Sequence, residues 1–281
     1  MNYGTYGSDL IMVQIPVGDV VAAAQALGLA GRWALAEDLL ASSGPASPDE
    51  RAALALTAAQ VAVDGDFWQR TATAGPALER AAEALQAAAP DPLLAFDLAF
   101  LRLRQDYFAE LLAPGGPRFG PDGRDPAAVD EFARRADRLR HEAPDERRGG
   151  EATFYAGLIE DNLRGDSAAA RPLFAAAVAA GEATGDGLLT SEALRHLGYL
   201  DDQAGQPDLA REQWQRATAL RQRAGCVPLT LAQQLLIAEM TASRDPAAAR
   251  PAVAEIRRWA QALGLVMLTA QADALLTGAG G

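Results

Sequence analysis

The chain has 281 residues, 49% of them hydrophobic, and a formal net charge of −12. That hydrophobic share supplies a sizeable core and excludes a wholly disordered chain, while the acidic balance argues against general affinity for nucleic acid or an anionic membrane. All 25 basic residues are arginine, so a Walker phosphate loop, a kinase β3 lysine and Schiff-base chemistry are excluded, and the lone Cys226 has no internal disulfide partner.

In chain order, residues 1–16 form an N-terminal arm with no basic region and only a short apolar run around Leu10 to Ile15, a poor signal peptide. From residue 17 onward, strand signals nearly vanish and Ala, Leu, Glu, Gln and Arg fill long windows, which predicts about a dozen helices. Turns fall at "AGRW", "SSGPASPDE", "APDP", "HEAPDERRGG", "LRGDS", "QAGQPD" and "SRDP". Several set Asp or Ser ahead of Pro, the usual signature of a helix start. The segment 66–76 pads the second hairpin, and 113–126 ("APGGPRFGPDGRDP" from Ala113) is a long Pro/Gly loop carrying Arg118 and Phe119. After the repeats of 17–263, residues 264–281 read as a capping helix and tail. The longest uncharged stretch there is too short and polar to span a bilayer, so the expected location is cytoplasmic.

The helices carry an internal repeat. Ala210, Trp214 and Ala217 share one helical face, and Ala170, Phe174 and Ala177 repeat that spacing forty residues earlier, with Gly165 forty before Gly205. Looser copies occur at Ala36–Leu40, Ala81–Leu85, Ala128–Phe132 and Ala249–Val253. The small residue lets the second helix of a hairpin approach the first, and the large one fills the gap toward the next.

With Leu194, Leu197-Gly198, Ala210, Trp214 and Ala217, the chain resembles the tetratricopeptide repeat family, in a degenerate bacterial form with a period near forty rather than about thirty-four. It departs at Leu194 (usually Trp), Asp201 (usually Tyr) and Gln222, where a closing Pro is missing. The resemblance covers 151–224 and, more loosely, 17–150 and 229–263. It implies an all-α, right-handed solenoid of about six stacked antiparallel hairpins, an elongated superhelix whose first helices line a concave groove. By that resemblance, Tyr155, Ile159 and Asn162 face the groove, with Glu192, Arg195, Tyr199 and Asp202 alongside. Asp97 and Arg104, seven apart and hence on one helical face, join them.

Dedicated chemistry is sparse. Two histidines and one cysteine make no spaced set of metal ligands, so no metal or cofactor is expected. Cys226 reads as a buried small hydrophobe. The pairs Glu160–Asp161 and Asp201–Asp202 are able in principle to hold a hard cation or act as acid and base, but read as solvated helix ends. The run Arg134, Arg135, Arg138, Arg140, Arg147 and Arg148 reads as a salt-bridged face, with Asp130–Arg134 and Glu131–Arg135 as i,i+4 pairs. The leading expectation is a non-catalytic binding module in a bacterial regulatory or scaffolding role, recognising a protein, a peptide or a small effector, as a monomer or homodimer. Alanine-rich, lysine-free composition points to a GC-rich source such as an actinomycete. The alternative is a helical-repeat enzyme or a dedicated small-molecule binder of a biosynthetic pathway, with 113–126 as a lid placing Arg118 and Phe119 at the mouth.

Overall fold

The computed structural model describes residues 15–112 and 116–278. They form an all-α fold, with no strand among the described residues, in thirteen helices: α1 (Val17–Leu29), α2 (Trp33–Ala41), α3 (Pro48–Gln69), α4 (Ala74–Ala87), α5 (Pro92–Leu111), α6 (Pro126–Glu142), α7 (Glu146–Leu158), α8 (Ser167–Thr184), α9 (Gly187–Gln203), α10 (Pro207–Arg223), α11 (Val227–Ala242), α12 (Pro246–Leu263) and α13 (Val266–Thr277). A π-helical turn, Ile159–Leu163, continues α7. None of these helices is long and apolar enough to cross a membrane.

Local chemistry starts the helices where the sequence marks them. Asp91, Asp125 and Asp245 each precede a Pro and accept hydrogen bonds from the first free backbone N–H groups of α5, α6 and α12. Asp145, Asp166 and Asp186 do the same for α7, α8 and α9 without Pro. Segment 66–76 is a capped connection rather than padding. Arg70 ends α3 in the left-handed region (φ 60°), and the Asp66 carboxylate accepts from Thr71 Oγ1 (2.6 Å), Thr73 N (2.9 Å) and Ala74 N (2.8 Å). Burial acts to raise the Asp66 pKa, but these hydrogen bonds prevail and hold it below the usual carboxylate range.

Successive helices pair as antiparallel neighbours, and the two best-matched hairpins pack alike. Ala170, Phe174, Ala177, Ala210, Trp214 and Ala217 are all buried. On the facing first helices sit glycines: a Cβ on Gly157 would lie 2.7 Å from Phe174 Cε1, and one on Gly198 2.5 Å from Trp214 Nε1. The looser copies are uneven. Ala36, Leu40, Ala249 and Val253 are buried as expected, whereas in α6 the buried positions are Val129, Ala136 and Leu139, so the expected Ala128–Phe132 register is off by one.

The expected elongation is not observed. Val20, Trp33, Leu54 and Val61 from α1–α3 share one hydrophobic cluster with Leu231, Leu235, Val253, Ile256, Leu263 and Leu268 from α11–α13. Gln69 Nε2 also donates to Leu263 O at 3.2 Å. The array therefore curves until its first hairpin meets its last. Helix α13 caps the last hairpin as anticipated and reaches α3 as well. The reason is that the end hairpins expose large apolar faces, and burying them on each other stabilises a closed arc over an open one.

Candidate functional site

The first helices α3, α5, α7 and α9 bring a polar cluster together inside this arc. At its centre Arg104 of α5 donates from Nη2 to Asp64 Oδ1 (2.5 Å) and from Nε to the Tyr155 hydroxyl (2.9 Å). Its guanidinium also lies 5.7 Å from the centroid of the Tyr155 ring. Burial opposes the charge on Arg104, but Tyr155 and Asp64 outweigh it and hold the group firmly protonated. Burial pushes the Tyr155 hydroxyl well above its ordinary range.

On α9 the arrangement is different. Glu192 lies deep in the fold yet keeps some accessible surface. Its carboxyl oxygens have no hydrogen-bonded protein partner among the described residues and are open to solvent. Burial pushes its pKa up to about 7, against the opposing pull of Arg221 and Arg104. Three residues on, Arg195 uses a single nitrogen, Nη1, to donate to Ala232 O (3.3 Å) and Gln233 Oε1 (3.2 Å) of α11. Its Nε and Nη2 are without a protein acceptor among the described residues and reach solvent. Burial, then the neighbouring Arg221, lowers its pKa to about 9.

Arg221 of α10 is only 1% exposed and has neutral partners: Ser191 Oγ (3.2 Å), Leu229 O (3.0 Å) and Gln233 Oε1 (3.2 Å). Gln233 thus turns its one carbonyl oxygen to two guanidiniums and leaves its buried Nε2 without a partner. The sequence reading missed Arg221, although Ala210, Trp214, Ala217 and Arg221 continue a single buried helical face and so mark it. It also missed Asp64, for which no sequence signal stood out.

The remaining expected groove residues divide. Asp97 does not join Arg104; it accepts a bidentate pair from Arg148 (Nε–Oδ1 2.6 Å, Nη2–Oδ2 2.7 Å). Tyr155 faces inward but its ring is buried among Phe100, Tyr107 and Phe154, so only the hydroxyl serves the cluster. Ile159 is fully buried core, and Asn162 is buried with its Nδ2 donating to the Tyr107 hydroxyl (2.7 Å), so neither faces a groove. The π-helical turn is the cause, because its wider i→i+5 winding rotates every residue after Leu158 off the expected face. Tyr199 is 47% exposed and Asp202 partly so.

Loop 116–126 is pinned rather than poised as a lid. Arg124, buried and unremarked in the sequence reading, donates to Gly120 O (2.8 Å), Glu110 O (2.9 Å) and the Glu110 carboxylate. Gly120 N donates to Asn162 O (2.8 Å). Arg118 binds Glu110 (2.9 Å) and Gly123 O (3.2 Å), while Phe119 is 62% exposed to solvent. Residues 113–115 of the expected lid, like most of the N-terminal arm, lie outside the described residues.

The carboxylate pairs are split between separate partners. Glu160 accepts from Arg164 (2.5 Å), Asp201 is buried against Arg171 (2.6 Å), and Asp161 accepts from Ser167 Oγ (2.9 Å) with His196 Nδ1 3.8 Å away. Ser167 and His196 thus converge on one carboxylate instead of forming a nucleophile–base relay. Burial keeps His196 neutral, stacked on Phe174. Cys226 is buried as expected, its thiol pushed up to about 11 by burial. The arginine face is salt-bridged with other partners than expected: Arg134 pairs with Glu131, Arg135 with Asp106 (2.6 Å), and Asp130 with Arg164 (2.6 Å). Away from the polar cluster, a groove of about 420 Å³ lies between α11 and α12, lined by Ile237, Ala249, Ala252 and Ile256. No protein-family model matches the chain, and no curated protein matches it.

Proposed function

We propose that this protein is a non-catalytic binding module of the tetratricopeptide-like kind that takes a small effector on the inner face of its first helices, around Glu192 and Arg195. One observation carries this reading. An acid and a base three residues apart on α9 ordinarily pair across a helical turn, yet these two do not, and both keep polar atoms open to solvent. Leaving deep charges uncompensated is costly unless something completes them. A small effector is favoured over an extended peptide, because Ile159, Asn162 and the Tyr155 ring are packed away and offer no aromatic anchors. A regulatory or scaffolding role in the cytoplasm fits a ligand-sensing module with this interior.

A second reading rests on the Glu192 carboxyl, which titrates near neutrality as a general acid–base would. In that enzyme reading the bound molecule is converted. Capture from a GC-rich actinomycete lysate on tagged wild type, beside a Glu192→Gln/Arg195→Ala variant of unchanged helicity, tests both. A small molecule retained only by wild type and released unaltered supports the binding module; release as a different compound supports the enzyme. Equal retention by both proteins removes the inner face from consideration.

A further inference from the structure

We infer that the inner-face site is built for a zwitterionic small molecule, whose amine meets the Glu192 carboxylate and whose carboxylate meets the free Nε and Nη2 donors of Arg195. This rests on the inner-face reading above and adds the chemical class. The charges around the site decide it. Asp64 is taken by Arg104 (2.5 Å), and Glu151 by Arg147 (3.0 Å), so neither is free for a ligand cation. Arg221 has its donors spent on Ser191, Leu229 and Gln233. Glu239 is exposed and contributes to Arg195 only at a distance.

What remains open is one acceptor group and one donor group on a single helical face. Each is destabilised in its charged form by burial: the Glu192 pKa is raised and that of Arg195 lowered. A purely anionic ligand relieves Arg195 but drives Glu192 further toward its neutral form. A purely cationic one relieves Glu192 but opposes Arg195 and Arg221. A molecule carrying both charges relieves both at once. The orphaned Gln233 Nε2 adds to the positive end, since its dipole presents hydrogen rather than oxygen beside the two guanidiniums. The Cβ atoms of residues three apart on a helix lie about 5–6 Å from each other. Glu192 leans toward Arg104 and Arg221, and Arg195 toward α11, so the fitting molecule separates its charges by several bonds.

The test is the thermal midpoint of the full chain against a length series: glycine, β-alanine, 4-aminobutyrate, 5-aminopentanoate and 6-aminohexanoate. Butyrate and butylamine at equal ionic strength are the single-charge controls. The expected result is one preferred length, raising the midpoint by about 3 °C at roughly ten times its Kd, with both controls well below it. Glu192→Gln and Arg195→Gln should each weaken that binding at least about tenfold. If either variant fails to fold, the wild-type length series decides alone. A response no larger than that of the controls at every length overturns the inference. If capture from lysate still depends on Glu192 and Arg195 in that case, the inner-face reading survives without the zwitterion; if capture fails too, both fall.

Discussion

Hairpins α7–α8 and α9–α10 are built to one plan and differ where the candidate site lies. Both lock a glycine of the first helix under an aromatic of the second, Gly157 under Phe174 and Gly198 under Trp214. At the other end of the hairpin the earlier copy is apolar and tight. A Cβ on Gly150 would lie 2.7 Å from Ala180, and one on Gly181 2.4 Å from Thr190 Oγ1. The matching positions of the later copy are Ser191 and Arg221, joined by a hydrogen bond of 3.2 Å. Glu151 and Glu192 also correspond; the first is held by Arg147, the second has no hydrogen-bonded partner. One end of the hairpin thus carries packing, and the other is where two copies of one plan acquire different chemistry.

The spacing shows how they diverged in shape. Gly157 and Gly198 are 41 apart, while Gly165 and Gly205 are 40 apart. The extra residue of the earlier copy falls within the π-helical turn Ile159–Leu163, the usual structural form of a one-residue insertion in a helix.

The largest effects should come from removing the shared lock. Phe174→Ala and Trp214→Ala should each cost about 3–5 kcal/mol in chemical denaturation. Trp214→Ala should cost the more of the two, because it also removes the donor to Arg195 O (3.0 Å). A milder loss would mean that the two hairpins are not locked alike.

Next come the glycines. Gly150→Ala should destabilise by about 1–3 kcal/mol through overpacking. Its neighbour Gly149→Ala, with only an ordinary 3.5 Å contact to Ala143, should stabilise by roughly 0.5–1 kcal/mol through helix propensity. Equal effects at the two positions would break the distinction between close-packed and open faces.

At the divergent end, Arg221→Met should leave stability within about 1 kcal/mol of wild type, since a buried ion without a bonded counter-ion gives up little to an apolar residue of similar length. It should nevertheless move the Glu192 titration upward, because the largest charge stabilising that carboxylate is gone. An unmoved titration, followed by NMR of the carboxyl carbon, would separate Glu192 from Arg221.

The smallest effect is in pH dependence. Glu192 is raised from 4.5 to about 7 in the fold, so between those values the folded state holds a proton that the unfolded state has released. Stability conferred below pH 4.5 is therefore lost as pH rises through 7. The shift of Glu151, also upward, runs the same way. Glu192→Gln should flatten this slope and leave the part due to Glu151.

Much of the fold was legible because its determinants are local. Asp-Pro starts, small–large spacing in α8 and α10, and the break before the capping helix follow from helix geometry and hydrogen-bond satisfaction. Closure of the arc was not legible, since it depends on which end surfaces meet, and no spacing rule encodes that. In the site, Glu192, Arg195, Arg104 and Tyr155 were found by extending the helical face of the repeats. Ile159 and Asn162 were misplaced because a π turn leaves no plain residue signature and rotates all that follows. Asp97 failed for a simpler reason: two residues on one helical face still find different partners, and Arg148 lay within reach.

The most direct test of the inner-face claim is native mass spectrometry of protein purified gently from an actinomycete host, wild type beside Glu192→Gln/Arg195→Gln. The account predicts a small molecule bound to wild type and missing from a folded double variant. The same mass retained equally by both would contradict it.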